Sequence, residues 1–280
     1  MKPHAFDAAV TLTPLTTGAD AAAPGRFTGV SSPAYWNMIG PYGGITAATA
    51  MQAVMQHPGR LGEPIALTVN YASALGPGPF IVQATPVRTN RSTQHWSVSL
   101  SQADAAGAEG VVMTATAVTA ARRQTWGVSD RPMPAVAPPA DAERLTFKAG
   151  VEWINRYEMR PLAGRFPDVW DGSGTHSLSR LWVRDDPPRP LDFPSLAALA
   201  DVFFPRVWLR RATRVPVGTV SMTIHFHADS GQLAESGDGF LLGQAEAQAF
   251  RNGFFDQTAQ LWTESGTLLL TTSQTVYYKE

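Results

Sequence analysis

"SLAALADVFFPR", Ser195–Arg206, is small or apolar almost all the way round a helical wheel, with one carboxylate, Asp201, set in its middle. A surface helix shows one apolar stripe, whereas a helix apolar on every side belongs in a protein interior. The stretch therefore reads as a buried helix, stopped by Pro205, that carries an acid. After it the periodicity changes to two, and four strand-like runs follow: "VGTVSMTIHFH" from Val217, "FLLGQAEAQAF" from Phe240, "GFFDQTAQLWT" from Gly253 and "TLLLTTSQTVYY" from Thr267.

The same order occurs earlier in the chain. "GGITAATAMQAVMQ", Gly43–Gln56, has good helix formers behind two glycines and stops at His57-Pro58. Four alternating runs come after it, from Ile65, Phe80, His95 and Gly110, parted by turn signals such as "GPGP" and "DAAGAEG". Part of the match is textual, with "LTVNY" at Leu67–Tyr71 lying against "MTIHF" at Met222–Phe226. An internal duplication accounts for this better than one large domain. The expected organisation is a first repeat over residues 1–122, a Pro- and Ala-rich linker over 123–146, and a second repeat over 147–280. Ahead of its helix the second repeat is expected to hold an alternating strand in "GVEWINRYEM" and another in "SLSRLWVR". One helix among antiparallel strands with short turns suits a curved sheet wrapped round that helix. Present twice, this gives an α+β chain of the double-hotdog type.

Composition narrows the chemistry. The 280 residues are 44% hydrophobic, enough for a sizeable core, and carry a formal net charge of −1 with no run of basic residues. Nothing reads as a nucleic-acid stripe or a polybasic membrane anchor. There is no cysteine, so disulfides, thiolate nucleophiles and cysteine zinc sites are excluded together. No stretch approaches the roughly 20 apolar residues of a membrane span, nor does the N-terminus resemble a signal peptide, which makes a soluble cytoplasmic protein the expectation. A G-x-S-x-G elbow and a glycine-rich phosphate loop are both missing.

"GPYGGITAATAMQAV", "RLWVRDDPPRPLDFPSLAALADVFF", "GTVSMTIHFH" and "LLLTTSQTVYY" together resemble, in order and spacing, segments of the acyl-CoA thioesterase II type of double-hotdog enzymes and the thioesterase-like superfamily around it. One departure is Ile45, where the family usually has a glutamine after the two glycines. The resemblance implies a hydrolase in which an aspartate, a threonine and a glutamine position and activate a water. Carried over, these are Asp201, Thr219 and Gln274. It also implies an acyl-CoA substrate; no cofactor is expected, and homo-oligomerisation stays open.

Each residue also has a plainer reading. Burying an unpartnered carboxylate costs several kcal/mol or raises its pKa, yet Asp201 sits off the main stripe of Leu196, Leu199, Ala200, Phe203 and Val207 and could face solvent. Strand parity puts Gln274 with Leu268, Leu270, Thr272 and Val276 on a largely apolar face, as a polar site residue or as a satisfied core amide. Parity puts Thr219 with Ser221, Thr223 and His225, where it reads as an ordinary strand threonine. Aligning the repeats places Thr116 opposite Gln274, Pro64 opposite Thr219 and Ala48 or Val54 opposite Asp201, so the polar groups occur in the second copy only. Gly43 and Gly44 offer backbone amides at a helix N-terminus, suited to an oxyanion, or else permit close packing.

His225 and His227 would form half of a metal site, but no third ligand follows. Arg210, Arg211 and Arg214 could meet coenzyme A phosphates or form a solvated loop. The rival readings are a hotdog hydratase or dehydratase, for which His57 is the one candidate histidine, and a non-catalytic acyl-thioester binding module.

Overall fold

The computed structural model describes residues 3–15, 22–104, 106–146 and 151–280. Contacts divide the chain into two units. One comprises the described residues of Met1–Trp126, Lys148–Arg156 and Asp192–Leu199; the other comprises those of Gly127–Phe147, Tyr157–Leu191 and Ala200–Glu280. The expected start of the second repeat, residue 147, lies outside the described residues.

The first unit opens with α1 (Ala5–Ala9), β1 (Thr13–Pro14) and β2 (Gly25–Val30), then α2 (Gly43–Met55), β3 (Glu63–Tyr71), β4 (Pro79–Thr89), β5 (Thr93–Ala103) and β6 (Glu109–Ala120). Its strands run in the order β1-β2-β4-β5-β6-β3, every pair antiparallel. The period-two pattern is realised in β5, where Gln94, Trp96, Val98 and Leu100 are buried and His95 and Ser97 are exposed. Those side chains turn toward α2, which packs on β4, β5 and β6. Ala47, Ala48, Ala50 and Ala53 are fully buried, so the small residues let the sheet come close to the helix axis.

The second unit repeats the plan with β7 (Tyr157–Ala163), β8 (Ser179–Asp185), β9 (Val217–Phe226), β10 (Leu241–Glu246), β12 (Phe254–Thr263) and β13 (Leu268–Tyr278) in the order β7-β8-β10-β12-β13-β9. Matched one for one, this is the strand order of the first unit, and the two-residue β11 (Phe250–Arg251) is an addition that pairs with β12. α3 (Phe193–Leu199) is counted with the first unit, where it packs along α2; in the second, α4 (Arg206–Arg211) contacts β12, and α5 (Ser230–Ser236) fills the connection from β9 to β10.

Three expectations are corrected. "GVEWINRYEM" is not one strand: Glu152–Arg156 is a 3-10 helix, and β7 begins only at Tyr157. The helix read through Ser195–Arg206 ends at Leu199, and Pro205 does not stop it but N-caps α4. Finally, the pairing register replaces Thr116 by Ala117 as the counterpart of Gln274, because Leu67 pairs with Ala117 as Met222 pairs with Gln274.

A charged cluster braces the edge strand β7. Glu158 on β7 is buried and accepts hydrogen bonds from Arg160 (2.6 and 2.9 Å) and Arg184 (2.8 and 3.0 Å). Both guanidiniums also lie over the Phe240 ring, at 5.2 and 4.2 Å. Burial by itself pushes the Glu158 carboxyl up, and the bonds and charges of Arg184 and Arg160 outweigh it, so the pKa lies below its ordinary 4.5. A carboxyl with a depressed folded pKa contributes stability above the unfolded value and loses it as pH falls through the folded value. Glu158→Gln should therefore lower stability by about 2 kcal/mol at neutral pH, the scale of hydrogen bonds to charged groups. The deficit should shrink as both proteins are acidified, as followed by thermal denaturation across a pH series.

Candidate active site

Asp201 lies in the turn two residues beyond α3. The run Val202-Phe203-Phe204 is β-branched and aromatic, which favours leaving the helix, and all three side chains are buried. Placing the carboxylate past the helix end frees its position from the helical wheel. Asp201 is half-buried, and its Oδ1 accepts a hydrogen bond of 2.8 Å from Nε2 of Gln274.

Gln274 stands on β13 at 5% exposure, on the face shared by Leu270, Thr272 and Val276, as strand parity required. Its Oε1 accepts a hydrogen bond of 3.2 Å from the Thr219 hydroxyl, and its Nε2 is also 3.4 Å from Met222 Sδ. The amide is thereby fixed in one sense, nitrogen toward the carboxylate and oxygen toward the hydroxyl. Asp201, Gln274 and Thr219 form one connected chain of polar groups. Gln257, directly opposite Gln274 on β12, is a further buried amide on this face that sequence reasoning did not single out.

Thr219 reaches Gln274 because parity fails on β9. Ser221 pairs with Thr275, but Thr219 pairs with Val276, leaving Val220 as an extra residue in a β-bulge. The bulge reverses the alternation beyond it. Val220 turns outward, and Thr219 joins Met222, Ile224 and Phe226 on the inner face rather than Ser221 and Thr223 on the outer one. The first unit carries the same bulge at Ile65, between Pro64 and Ala66.

The chemistry of the chain follows from its protons. Thr219 has one hydroxyl proton, committed to Gln274, so its oxygen keeps acceptor capacity for a water. A carboxylate is acceptor-only, and Asp201 can take a proton from such a water. Gln274 holds the two at a fixed separation.

The remaining sequence-derived candidates are placed as follows. Gly43 and Gly44 open α2, within the turn whose amides have no intrahelical partner. A Cβ on Gly44 would stand 2.4 Å from the Ala198 carbonyl oxygen and 2.5 Å from the Tyr42 ring, so close packing of α2 on α3 itself requires this glycine. The Tyr42 hydroxyl donates to that same carbonyl at 2.5 Å, while its ring stacks on Trp153 at 4.3 Å. His57 is buried with both ring nitrogens engaged by backbone: Nδ1 accepts from Gly59 N–H, and Nε2 donates to the Ala23 carbonyl. That is the bonding of a structural histidine. His225 is exposed and His227 bonds Thr271, and among the described residues no group of three or more His, Asp or Glu is placed to hold a metal. Arg210 donates to the Gly174 carbonyl, Arg211 pairs with Glu280, and Arg214 lies 4.4 Å over Trp170.

Two hotdog repeats in one chain define a double-hotdog protein of α+β class. Residues 32–120 match the family model of the acyl-CoA thioesterase N-terminal domain and residues 132–278 that of the C-terminal domain. The chain therefore belongs to the acyl-CoA thioesterase family and is a thioester hydrolase. A conserved hot dog fold protein of unknown function from Alicyclobacillus acidocaldarius is 44% identical, with a TM-score of 0.90 over 100% of this chain and 99% of that one. An acyl-CoA thioesterase II from Mycobacterium marinum shares the fold at 16% identity and TM-score 0.73, with 98% of each chain covered. The dehydratase domain of PpsC from Mycobacterium tuberculosis, solved with C12:1-CoA, shares it at 12% identity and TM-score 0.59, over 99% of this chain and 100% of that one. No curated protein sequence matches the chain. Among the described residues no helix is long and apolar enough to cross a membrane.

Because the atom facing Gly44 is a backbone oxygen that cannot swing aside, Gly44→Ala has to push α2 and α3 apart. It should cost about 1–3 kcal/mol, the usual range for overpacking. A denaturant titration showing wild-type stability would mean that the helices tolerate wider spacing.

Proposed function

We propose that the chain hydrolyses an acyl-CoA to the free acid and coenzyme A, with Asp201 as general base and Gln274 and Thr219 as the groups that orient the attacking water. The observation that carries this reading is the continuous bonding from Thr219 through Gln274 to Asp201. A core amide needs partners, but it does not need a carboxylate on one side and a hydroxyl on the other. In the proposed step the water oxygen bonds to the thioester carbon while Asp201 removes its proton. Collapse of the tetrahedral intermediate breaks the carbon–sulfur bond, and the proton held on Asp201 leaves with the thiolate as coenzyme A thiol. The developing oxyanion calls for backbone N–H donors, and the amides of Gly43 and Gly44 are the sequence's candidates for that role.

Asp201→Asn tests the base directly, because the new side-chain oxygen can still accept from Gln274 Nε2 while the proton acceptor is gone. Turnover should fall about 10²–10⁴-fold, the typical worth of general-base catalysis, with the melting temperature unchanged. Undiminished turnover would end the assignment. Thr219→Val keeps the shape and removes one hydrogen bond, so kcat should fall about tenfold, the rate equivalent of about 1.4 kcal/mol. Single-turnover reactions with acyl-CoA, scored for free thiol against hydrated product against bound but unreacted thioester, separate hydrolysis from hydratase activity and from simple binding.

A further inference from the structure

Arg206 has no part in the proposed proton transfer, yet it is the most deeply buried charge in the second unit. Its exposure is 0%, and among the described residues it meets no carboxylate. Its partners are neutral oxygens. Nε donates to the Phe204 carbonyl at 2.8 Å, and Nη2 donates to the same oxygen. Nη1 donates to the Ser179 hydroxyl at 2.6 Å, the Ser177 carbonyl at 2.9 Å and the Ala245 carbonyl at 3.2 Å. Burial pushes its pKa down to about 9, which leaves it charged at neutral pH.

An unpaired buried cation is costly, and an apolar side chain would fill the same space with less penalty. What the guanidinium adds is geometry. Phe204 ends the turn that starts at Asp201, and its carbonyl would otherwise be a buried acceptor outside any helix or strand. Ser179 and Ala245 are direct neighbours across β8 and β10. One side chain thus ties the downstream end of the Asp201 turn to two adjacent strands of a rigid sheet. Phe203 supports the same attachment, since its ring lies against Gly243 of β10, where a Cβ would come within 2.9 Å.

We infer that Arg206 is a positioning residue for the reaction: it holds the Phe204 carbonyl against β8 and β10 and so fixes the turn that sets the Asp201 carboxylate at Gln274. This rests on the reading of Asp201 as the base. Misplacing a reacting group by about 1 Å costs up to about 10²-fold in rate without a comparable loss of ground-state binding. The effect belongs in kcat rather than KM.

The test is a double-mutant cycle on the full chain with acyl-CoA as substrate. Arg206→Lys keeps the charge but not the fork that grips Phe204 and the sheet together. Its kcat should fall about 10- to 100-fold with KM nearly constant. In the Asp201→Asn background the same change should alter kcat less than about twofold, because a residue acting through Asp201 has nothing left to position. Ser179→Ala removes one anchor while leaving Arg206 in place, and it should lower kcat about threefold or more in the same pattern. Wild-type turnover in Asp201→Asn alone would overturn the parent reading. If Asp201→Asn is slow, the inference on Arg206 fails when Arg206→Lys keeps wild-type kcat, raises KM instead, or is equally damaging in both backgrounds. Should Arg206→Lys not fold, Ser179→Ala decides, and an unchanged kcat there counts against the inference.

Discussion

A primary amide cannot be buried without giving both its ends a partner, and Gln274 is such an amide, 5% exposed on a face it shares with Leu270, Thr272 and Val276. The cost of leaving a buried donor or acceptor unmet is about 1–3 kcal/mol. That constraint draws two distant pieces of chain to one point. From β9 it takes a hydroxyl that simple strand alternation would have turned away, and from the turn after α3 it takes a carboxylate. Because β13 lies between β9 and β12, the glutamine sits on a strand paired on both sides and has little freedom to drift.

The duplication shows which part of this is scaffold and which is decoration. Both units keep the strand order, and both keep a bulge at the same place, Ile65 in β3 and Val220 in β9. In the first unit the residue turned inward by the bulge is Pro64, and the residue standing where Gln274 stands is Ala117, both buried. A proline and an alanine need no polar partner there. The bulge thus belongs to the fold, and the second unit has used it to present Thr219.

Most of the architecture was legible because its signals are periodic. Alternation gave the starts of the strands that follow each helix to within two residues, though it ran past the ends of β3 and β10, and the Ala-rich run with its opening glycines gave α2. Short elements of two to six residues were missed, among them α1, β1 and β2. α5 left a readable signal in Asp229 and Gln232, which form a capping box in the structure. The candidate residues were legible by type but not by geometry. Gln274 followed from parity, whereas Thr219 was assigned to the wrong face because a one-residue bulge is invisible to a period-two count. Asp201 was placed in mid-helix because Val202, Phe203 and Phe204 are as apolar as a buried helix. Periodicity cannot tell such a run from a buried turn. Arg206 carried no signal beyond its charge, since its role depends on carbonyls at Ser177 and Ala245 that only the fold brings near.

The position of Asp201 past the end of α3 has a mechanical consequence. A side chain on a helix inherits the rigidity of the helix, but one on a turn depends on what holds the turn at either end. Upstream, the carbonyl of Ala198 is among those a helix C-terminus leaves without an intrahelical partner, and the Tyr42 hydroxyl takes it at 2.5 Å. Downstream, the carbonyl of Phe204 is taken twice over by Arg206. Five residues lie between Ala198 and Phe204, and the three between Asp201 and Pro205 are buried. A tether that short, fixed at both ends and packed along its length, has few conformations to lose on ordering. The carboxylate can therefore meet a strand-borne amide at 2.8 Å without a helix beneath it.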